Sequence, residues 1–340
     1  MTFHEMRLKF WLFCLASFVF QSGWMDARAD SRVNTYDPDT LSLRVGLVIP
    51  RIPIAVVAPV DSQLPDLQYD QNVAQKSGFG ADLGILGFYF STRTLSAEFP
   101  ESSHGLADNF DLQFHFYFPS LAMDLYYQNF QGYFLKETRD VYQGISPPQV
   151  PVVRPDLKTE NYGVTFSWIF SPERFSIAAS GAGTARQLRS GGSWVLGPSL
   201  GELRISSDKT VAPEGLESRY GQLGRLREGK FRTFAVGGGY AYNIVPLDRW
   251  FILLWISVLL GPQHQEFTEY KNNNLLARNR WASTARAIGR FSLGYNGDWF
   301  FFALTNVSES TSLTSLDTKE SGLETESNQA FAYLGLRIPL

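Results

Sequence analysis

Four arginines are the residues of this chain whose charge and spacing could bind an anion. Arg186 and Arg189 lead into the segment Ser190 to Ser193, whose glycine and serine backbone amides could also approach a negative group. Arg286 and Arg290 are four residues apart in an alternating segment, so both point to one side of an extended chain. These four are the candidate binding residues for a small anionic or lipid-like ligand. The simpler interpretation, which the pattern favours, is that inward charges fill the interior in pairs.

The histidines predict neither a catalytic nor a metal site. Beyond the N-terminal segment the chain has His104, His115 and His264. No serine spacing near them singles out a nucleophile, and no two of them have the spacing of metal ligands. The one cysteine, Cys14, lies in the N-terminal apolar run, which excludes thiol catalysis and cysteine metal sites elsewhere. We therefore predict no cofactor and no enzymatic activity.

The element that must position these residues is the strand. From Phe110 to Phe118 and again from Leu121 to Gln128, apolar and polar side chains alternate strictly, with Pro119-Ser120 as a tight turn between the two segments. Each segment continues for about ten residues, the length of a tilted strand that crosses a bilayer. The hairpin predicts an all-β fold, a transmembrane antiparallel β-barrel.

The N-terminus and the composition agree with that fold. Arg7 and Lys9 precede an apolar run that ends near Phe20, and Ala27 to Ala29 supplies the small residues of a signal-peptidase site. We predict a signal peptide over residues 1–29 and a barrel domain over residues 30–340. Phe, Trp and Tyr make up 15% of the chain, as aromatic girdles require. The net charge of −3 favours no nucleic-acid partner.

The alternating segments predict about 12 strands, with 10 or 14 as alternatives. Four short turns are predicted on the periplasmic side, and the longer polar segments become extracellular loops: the turns are Pro119-Ser120, Ser171 to Glu173, Pro246 to Asp248 and Asn296 to Asp298, and the loops are 94–108, 137–157, 189–229, 268–279 and 312–325.

Three segments leave alternatives open. A short strand near Leu67 to Tyr69 is the best partner for the first strand, Leu41 to Ile49. Ser77 to Thr92 is one strand or a hairpin that turns near Gly84, and the even strand number of such barrels favours one strand. An additional pair, Gly191 to Leu196 with Glu202 to Ser206, would raise the count to 14.

One strand departs from the alternation. Trp250 to Leu260 is apolar on both faces, and so is the stretch around Phe301. Lipid can cover only one of these faces. The other must meet a plug, a packed lumen or an apolar ligand, and packing is the favoured interpretation.

Four blocks of sequence resemble an uncharacterised outer-membrane barrel family, domain of unknown function 4421. They are TYDPDTLSLRVGL, GFGADLGILGFYF, the hairpin from Phe110 to Leu135, and the segment from Arg154 to Gly197. The most specific piece is Phe175 to Ser193, in which Gly181 to Gly183 departs from the family towards smaller residues. The resemblance implies a barrel and implies no activity or functional residues.

We predict a non-enzymatic channel or ligand-binding protein of the bacterial outer membrane. The alternatives are an outer-membrane lipid hydrolase and a surface adhesion or structural barrel. The expected partners are outer-membrane lipids and, during insertion, the barrel-assembly machinery. We also predict that residues 186–229 fold inward from the extracellular side as a constriction lined by Arg186 and Arg189, because the small residues from Ala178 to Ala185 leave space in the lumen.

Overall fold

A computed structural model describes residues 33–35, 39–59, 62–73, 75–92, 97–136, 138–142, 146–271, 274–312 and 321–340. The predicted signal peptide lies outside these residues. Within the described residues, no helix has the length and apolar character needed to cross a membrane.

Strands dominate the described residues. In chain order they are β1 (Val33–Thr35), β2 (Thr40–Arg51), β3 (Ile54–Val57), β4 (Leu67–Asp70), β5 (Lys76–Leu83), β6 (Leu86–Thr92), β7 (Asp108–Tyr117), β8 (Leu121–Leu135), β9 (Val153–Ile169), β10 (Ala185–Gln187), β11 (Gly191–Ser206), β12 (Leu226–Ile244), β13 (Trp250–Lys271), β14 (Asn274–Asn296), β15 (Phe300–Ser312) and β16 (Gly322–Pro339). Three short helices are α1 (Glu101–His104), α2 (Thr138–Val141) and α3 (Gly221–Gly224).

Twelve strands close into an antiparallel ring. The order around the ring is β2-β5-β6-β7-β8-β9-β11-β12-β13-β14-β15-β16, and β16 pairs with β2 to complete it. A closed ring has no free strand edge, so every backbone polar group of the wall can be satisfied inside a bilayer. The predicted 12-stranded antiparallel barrel is therefore confirmed.

The predicted alternation separates the two faces of the wall. On β7, Phe110 and Phe114 face outward and are exposed, whereas Asp111 and His115 face inward and are buried. The same division holds on β14, where Phe291 is exposed and Arg286 is buried. The wall thus presents an apolar surface outward and a polar lining inward, as lipid outside and a filled lumen inside require.

The two ends of the barrel differ, and we name them by their connections. The turn end carries the short connections at Gly84-Ile85, Pro119-Ser120, 245–249 and 297–299, together with the start of β2 and the end of β16. The loop end carries the other connections except the one from β9 to β11, which also begins and ends at the turn end. Three of the four predicted turns lie at the turn end as short connections. The fourth, Ser171 to Glu173, is wrong as a tight turn because it begins a 21-residue connection from β9 to β11.

Several strand assignments from the sequence are corrected. Ser77 to Thr92 is a hairpin, because Gly84 adopts φ +57°, which lets the chain reverse there. Residues 191–206 form one wall strand rather than a pair or a loop, and residues 268–279 belong to the long strands β13 and β14. Leu67–Asp70 pairs with β3 and β8 only at the loop end. The predicted number of twelve strands is correct, although several of the predicted strands are not the ones that form the ring.

An apolar core closes the loop end. There β3 pairs with β16 and β4 pairs with β8, so these short strands complete the ring above β2, β5, β6 and β7. The connection 207–225 folds inward beneath them. Buried side chains from both parts form one cluster: Ile52, Ile54, Val56, Ala58, Leu67, Tyr69, Phe130, Tyr133, Leu135, Val141, Leu157, Leu203, Ile205, Val211, Ala212, Leu216, Tyr220, Leu223, Leu226, Phe231, Phe267 and Leu323.

A second segment, residues 171–190, folds into the lumen from the turn end, and we call it the plug. Phe175 and Ile177 are buried against Leu253 and Trp255 of β13, with the rings of Phe175 and Trp255 6.2 Å apart. The plug also contains β10, which pairs with β1. The inner apolar face of β13 thus meets a plug, which confirms the packing interpretation of that strand.

Candidate functional site

Between the plug and the loop-end core lies a cavity of about 160 Å³, which we call the central cavity. Its lining comes from most of the wall and from the plug, and most of the lining residues are charged, amide or aromatic. They include Arg44, Tyr89, Gln113, His115, Tyr117, Asp124, Tyr126, Gln128, Thr165, Ile177, Gly181, Arg286, Arg290, Glu309, Gln329 and Tyr333. Of the four arginines predicted to bind a ligand, two line this cavity, Arg286 and Arg290.

Ion pairs hold both of these arginines. Arg290 donates to Asp124 at 2.6 Å, and Tyr117 donates to the other oxygen of that carboxylate at 2.9 Å. Asp124 lies on β8, so this pair spans the lumen from β14. Arg286 pairs with Glu309 on the neighbouring strand at 2.5 Å. Buried charges are tolerated when each has a partner, so the prediction that inward charges fill the lumen in pairs fits this geometry.

A third arginine, Arg44, links the wall to the plug. It donates to Asp82 at 3.1 Å and to the carbonyl of Gly181 in the plug at 2.6 Å. Asp82 also contacts His115 Nε2 at 2.5 Å. Gly87 leaves the space for this contact, because a Cβ there would lie about 2 Å from both side chains.

Some polar atoms near the cavity have no hydrogen-bond partner among the described residues. They include Nε of Arg44, Nε of Arg290 and Oδ2 of Asp82, all of them buried. A buried donor without an acceptor is costly, and in native proteins such atoms usually have a functional or solvent partner. Two arginine donors near the cavity therefore lack a protein acceptor among these residues.

The small residues of the plug are held at the turn end by hydrogen bonds from wall side chains to their backbone carbonyls rather than by large side chains. Besides Arg44, the wall residue Asn296 donates to the carbonyls of Ala179 and Ala185 at 2.7 and 2.8 Å. Arg337 donates to the carbonyl of Gly183 at 2.7 Å. Because the plug side chains between these anchors are small, few apolar contacts oppose its displacement.

A second cavity of about 200 Å³ lies on the other side of Tyr117, at the turn end. Its lining is mostly apolar and includes Val33, Phe118, Pro119, Ala178 and Ala185. Tyr117 lines both cavities. The turn-end cavity and the central cavity are therefore neighbours separated by Tyr117 and the plug.

An ion pair anchors the inward-folded connection at the loop end. Arg154 donates to both oxygens of Asp156 at 2.9 Å and to the carbonyls of Thr210 and Val211 at 2.8 and 3.0 Å. Arg154 and Asp156 lie on the loop-end part of β9, which extends past the apolar part of this strand's outward face. Burial alone would raise the pKa of Asp156, but hydrogen bonds and charge from Arg154, with a bond from Ser207, hold it well below its usual range.

Arg186 and Arg189 do not line an extracellular constriction. Arg186 lies in the plug and pairs with Asp298 of a turn-end connection at 3.2 Å, and Arg189 is exposed at the same end. The predicted constriction 186–229 is wrong, because residues 191–206 and 226–229 form wall strands. Residues 207–225 fold inward at the opposite end from both arginines, and residues 186–190 belong to the plug at the turn end. A ligand-binding role for Arg186 and Arg189 stays a prediction.

Sequence reasoning missed Glu309, Tyr117 and the plug itself. The inward direction of Glu309 could have been predicted, because it lies an even number of residues from Phe301 and Ala303, which face inward on β15. The plug could be suspected from Ala178 to Ala185, a run too small to make a lipid-facing strand.

The histidines have structural partners. The ring of His115 stacks on Tyr117 at 4.5 Å, and His264 contacts the ring of Trp281 at 4.8 Å on the outer wall. His104 Nδ1 lies 2.8 Å from Ser103 Oγ, but this serine also reaches the carbonyl of Pro100 in its own turn. The residues that the structure describes contain no cluster of three His, Cys, Asp or Glu suited to a metal ion.

The closed ring, its apolar outer surface and its polar lumen define a β-barrel of the outer-membrane type. Within this class, the chain belongs to the family described as Domain of unknown function (DUF4421), whose profile matches residues 41–331. The resemblance seen in the four sequence blocks is thereby confirmed.

Several solved structures are similar to this chain. The outer membrane protease OmpT from Escherichia coli is 7% identical, with a TM-score of 0.39 and coverage of 89% of this chain and 98% of that chain. The toluene transporter TodX of P. putida is 9% identical, with a TM-score of 0.26 and coverage of 89% and 91%. Ail of Yersinia pestis is 10% identical, with a TM-score of 0.24 and coverage of 86% and 97%. A comparison with curated proteins finds no match.

Proposed function

We propose that this protein is a non-enzymatic barrel of the bacterial outer membrane that binds a small anionic molecule in its central cavity and is not an open pore. The observation that carries this proposal is the polar central cavity, closed by the plug at one end and by an apolar core at the other. Arg44, Arg286 and Arg290 are the proposed ligand-binding residues.

The unpartnered arginine donors support an anion. Nε of Arg44 and Nε of Arg290 have no hydrogen-bond partner among the described residues, and hydrogen bonds from guanidinium to carboxylate or phosphate are among the strong ones. The carboxylates already present are engaged with their own arginines. A small carboxylate or phosphate would fit this arrangement.

The size of the cavity limits the ligand. About 160 Å³ corresponds to about five water molecules at ~30 Å³ each. Drug-sized ligands need roughly 300–1,000 Å³. A lipid-like molecule therefore does not fit the central cavity with the plug in place.

Access from the turn end is the more favourable route. The loop end is closed by large buried side chains such as Tyr69, Tyr220 and Phe231, whereas residues 178–183 of the plug are all Ala, Ser or Gly. Displacing small residues costs less apolar burial than opening a packed core. We infer that the ligand enters from the turn end, which in this proposal is periplasmic.

Two measurements test the proposal. Purified protein in a planar bilayer is expected to give no steady current, and cell fractionation is expected to recover it with outer membranes. Addition of inorganic phosphate or acetate should change the fluorescence of Trp255, because Arg290 lies over that ring at 5.3 Å.

Matched variants make the binding test specific. Arg44→Gln and Arg290→Gln should weaken the fluorescence response, whereas Arg189→Gln, which is exposed outside the cavity, should leave it unchanged. Steady wild-type current, or equal responses in all variants, would contradict the proposal. Lipid hydrolysis that is lost in His115→Asn would instead support the hydrolase alternative.

A further inference from the structure

A group of charged side chains lies on the outer wall at the loop-end edge of the apolar surface. Strand register places Tyr162, Glu202, Arg232 and His264 side by side on β9, β11, β12 and β13. The neighbouring row towards the loop end is Glu160, Arg204, Lys230 and Glu266. The row on the other side is Val164, Leu200 and Phe234, and Leu200 and Phe234 are 47% and 46% exposed. The charges thus begin where the apolar surface ends.

Carboxylates hold the two arginines in fixed positions. Glu202 accepts from Arg204 Nε at 2.5 Å and from Arg232 Nε at 2.7 Å, and Arg232 also donates to Glu266 at 2.9 Å. The side chains of Arg204 and Arg232 nevertheless stay 43% and 47% exposed. An arginine already held in place loses little conformational entropy when it binds a further anion.

Lys230 supplies the observation that points to a ligand. It is exposed, and it lies directly opposite Arg204 in the β11–β12 pair. Like charges opposite each other across two strands destabilise a sheet. Among the residues that the structure describes, no carboxylate forms an ion pair with Lys230, although Glu266 is its other cross-strand neighbour. Lys230 therefore lies beside Arg204 and Arg232 without a carboxylate partner of its own, and an external anion would stabilise this group of three cations.

We propose that Arg204, Lys230 and Arg232 bind the phosphate of a membrane lipid whose acyl chains lie along Val164, Leu200 and Phe234. The proposal rests on the membrane location given under the proposed function, because only a bilayer brings a phosphate to this edge. A lipid carries both groups that this surface can bind: an anionic phosphate for the cations and acyl chains for the exposed apolar side chains. Trp281, 72% exposed next to His264, has the position of an interfacial aromatic residue.

The test counts lipids retained by the full-length protein purified from membranes in mild detergent. Native mass spectrometry should find phosphorylated lipid on the wild type and reduced retention in Arg204→Gln, Lys230→Gln and Arg232→Gln. Lys209→Gln and Lys271→Gln change exposed lysines elsewhere at the loop end and should retain lipid as the wild type does. In binding to bicelles, loss of one cation should weaken the preference for phosphatidylglycerol over phosphatidylcholine by about tenfold, or about 1.4 kcal/mol.

Defined outcomes would overturn the lipid site. Equal lipid retention by wild type and the three variants would do so, and so would displacement of the lipid by inorganic phosphate at equal concentration, which would indicate a free-anion site. Circular dichroism of each variant checks that the barrel is folded. Because these variants leave the central cavity intact, their phosphate or acetate response separates failure of this site from failure of the proposed function.

Discussion

Some charged side chains inside the lumen are held in ion pairs, whereas others, such as Asp111, accept hydrogen bonds from neutral groups. The Arg290–Asp124 pair spans the lumen, and both side chains are mostly shielded from water, at 17% and 22% exposure. A pair of this kind often contributes little net stability, yet removing one partner leaves an uncompensated charge. The energetic signature of the pair is therefore non-additivity between the two single substitutions.

Arg290→Gln is expected to destabilise the folded barrel by about 3–5 kcal/mol, because Asp124 then stays buried without its cation. The double variant Arg290→Gln with Asp124→Asn should recover a large part of this loss. Urea unfolding in detergent measures the cycle. Additive single effects would show that the two side chains do not interact.

The pair at the loop end is expected to give a pH-dependent effect. Asp156→Asn should lower the free energy of unfolding by about 1–2 kcal/mol at neutral pH, because Arg154 loses a charged acceptor. The pKa of Asp156 is lowered by folding, so its contribution is complete above the ordinary value of about 3.9 and is lost as pH falls through the lower folded value.

The difference between wild type and Asp156→Asn should therefore be constant from pH 8 to pH 5 and should shrink in stronger acid. Urea unfolding across this range measures it. Asp208→Asn, exposed on the same connection, is the control and should differ little from wild type at any pH. A difference that grows in acid would contradict the assigned role of Asp156.

At the scale of elements, the plug is held by two large apolar side chains, Phe175 and Ile177, and by several wall-to-backbone hydrogen bonds. Phe175 is fully buried, whereas the residues from Ala178 to Gly183 contribute little apolar area. Phe175 is therefore expected to dominate the apolar part of plug docking.

Phe175→Ala should weaken docking of the plug by about 3–5 kcal/mol, the usual cost of truncating a buried Phe. In that background a cysteine at Ala182, which is 2% exposed, should become reactive to a small maleimide. Phe170→Ala removes an exposed ring of the outer wall and serves as the matched control. Unchanged protection of the cysteine in Phe175→Ala would show that hydrogen bonds alone hold the plug.

At the scale of the whole molecule, four short connections lie at the turn end and, apart from the plug, the long connections lie at the loop end. In barrels of this type the short turns face the periplasm and the long loops face outward. Labelling of single cysteines on intact cells tests this orientation, because the one native cysteine, Cys14, lies in the predicted signal peptide.

Lys209→Cys, exposed in a loop-end connection, is expected to react with a membrane-impermeant maleimide added from outside. Arg189→Cys and Asp298→Cys, at the turn end, are expected to react only after the outer membrane is permeabilised. The reverse pattern would invert the assigned orientation, including the route of ligand access.

The strands of the wall are encoded locally in the sequence. The alternation of apolar and polar side chains is a local property of each strand, because lipid lies outside the wall and polar groups lie inside it. The outward residues of β7, β8, β14 and β16 could therefore be predicted one by one. The inward direction of Asp124, Arg286 and Arg290 followed from the same parity. A turn near Gly84 was one of the two predictions for the β5–β6 segment, but the even strand number of such barrels favoured a single strand.

The segments that fill the barrel are held by contacts between residues distant in sequence. The plug is stable inside because residues far apart in sequence, such as Arg44 with Gly181 and Asn296 with Ala179, form hydrogen bonds across the lumen. Small residues without alternation carry no local signal for that location. The loop-end core likewise depends on residues 207–225 meeting β3 and β4, and the partner that each inward charge finds depends on which strands face each other. These are long-range contacts, which a local pattern of side chains does not encode.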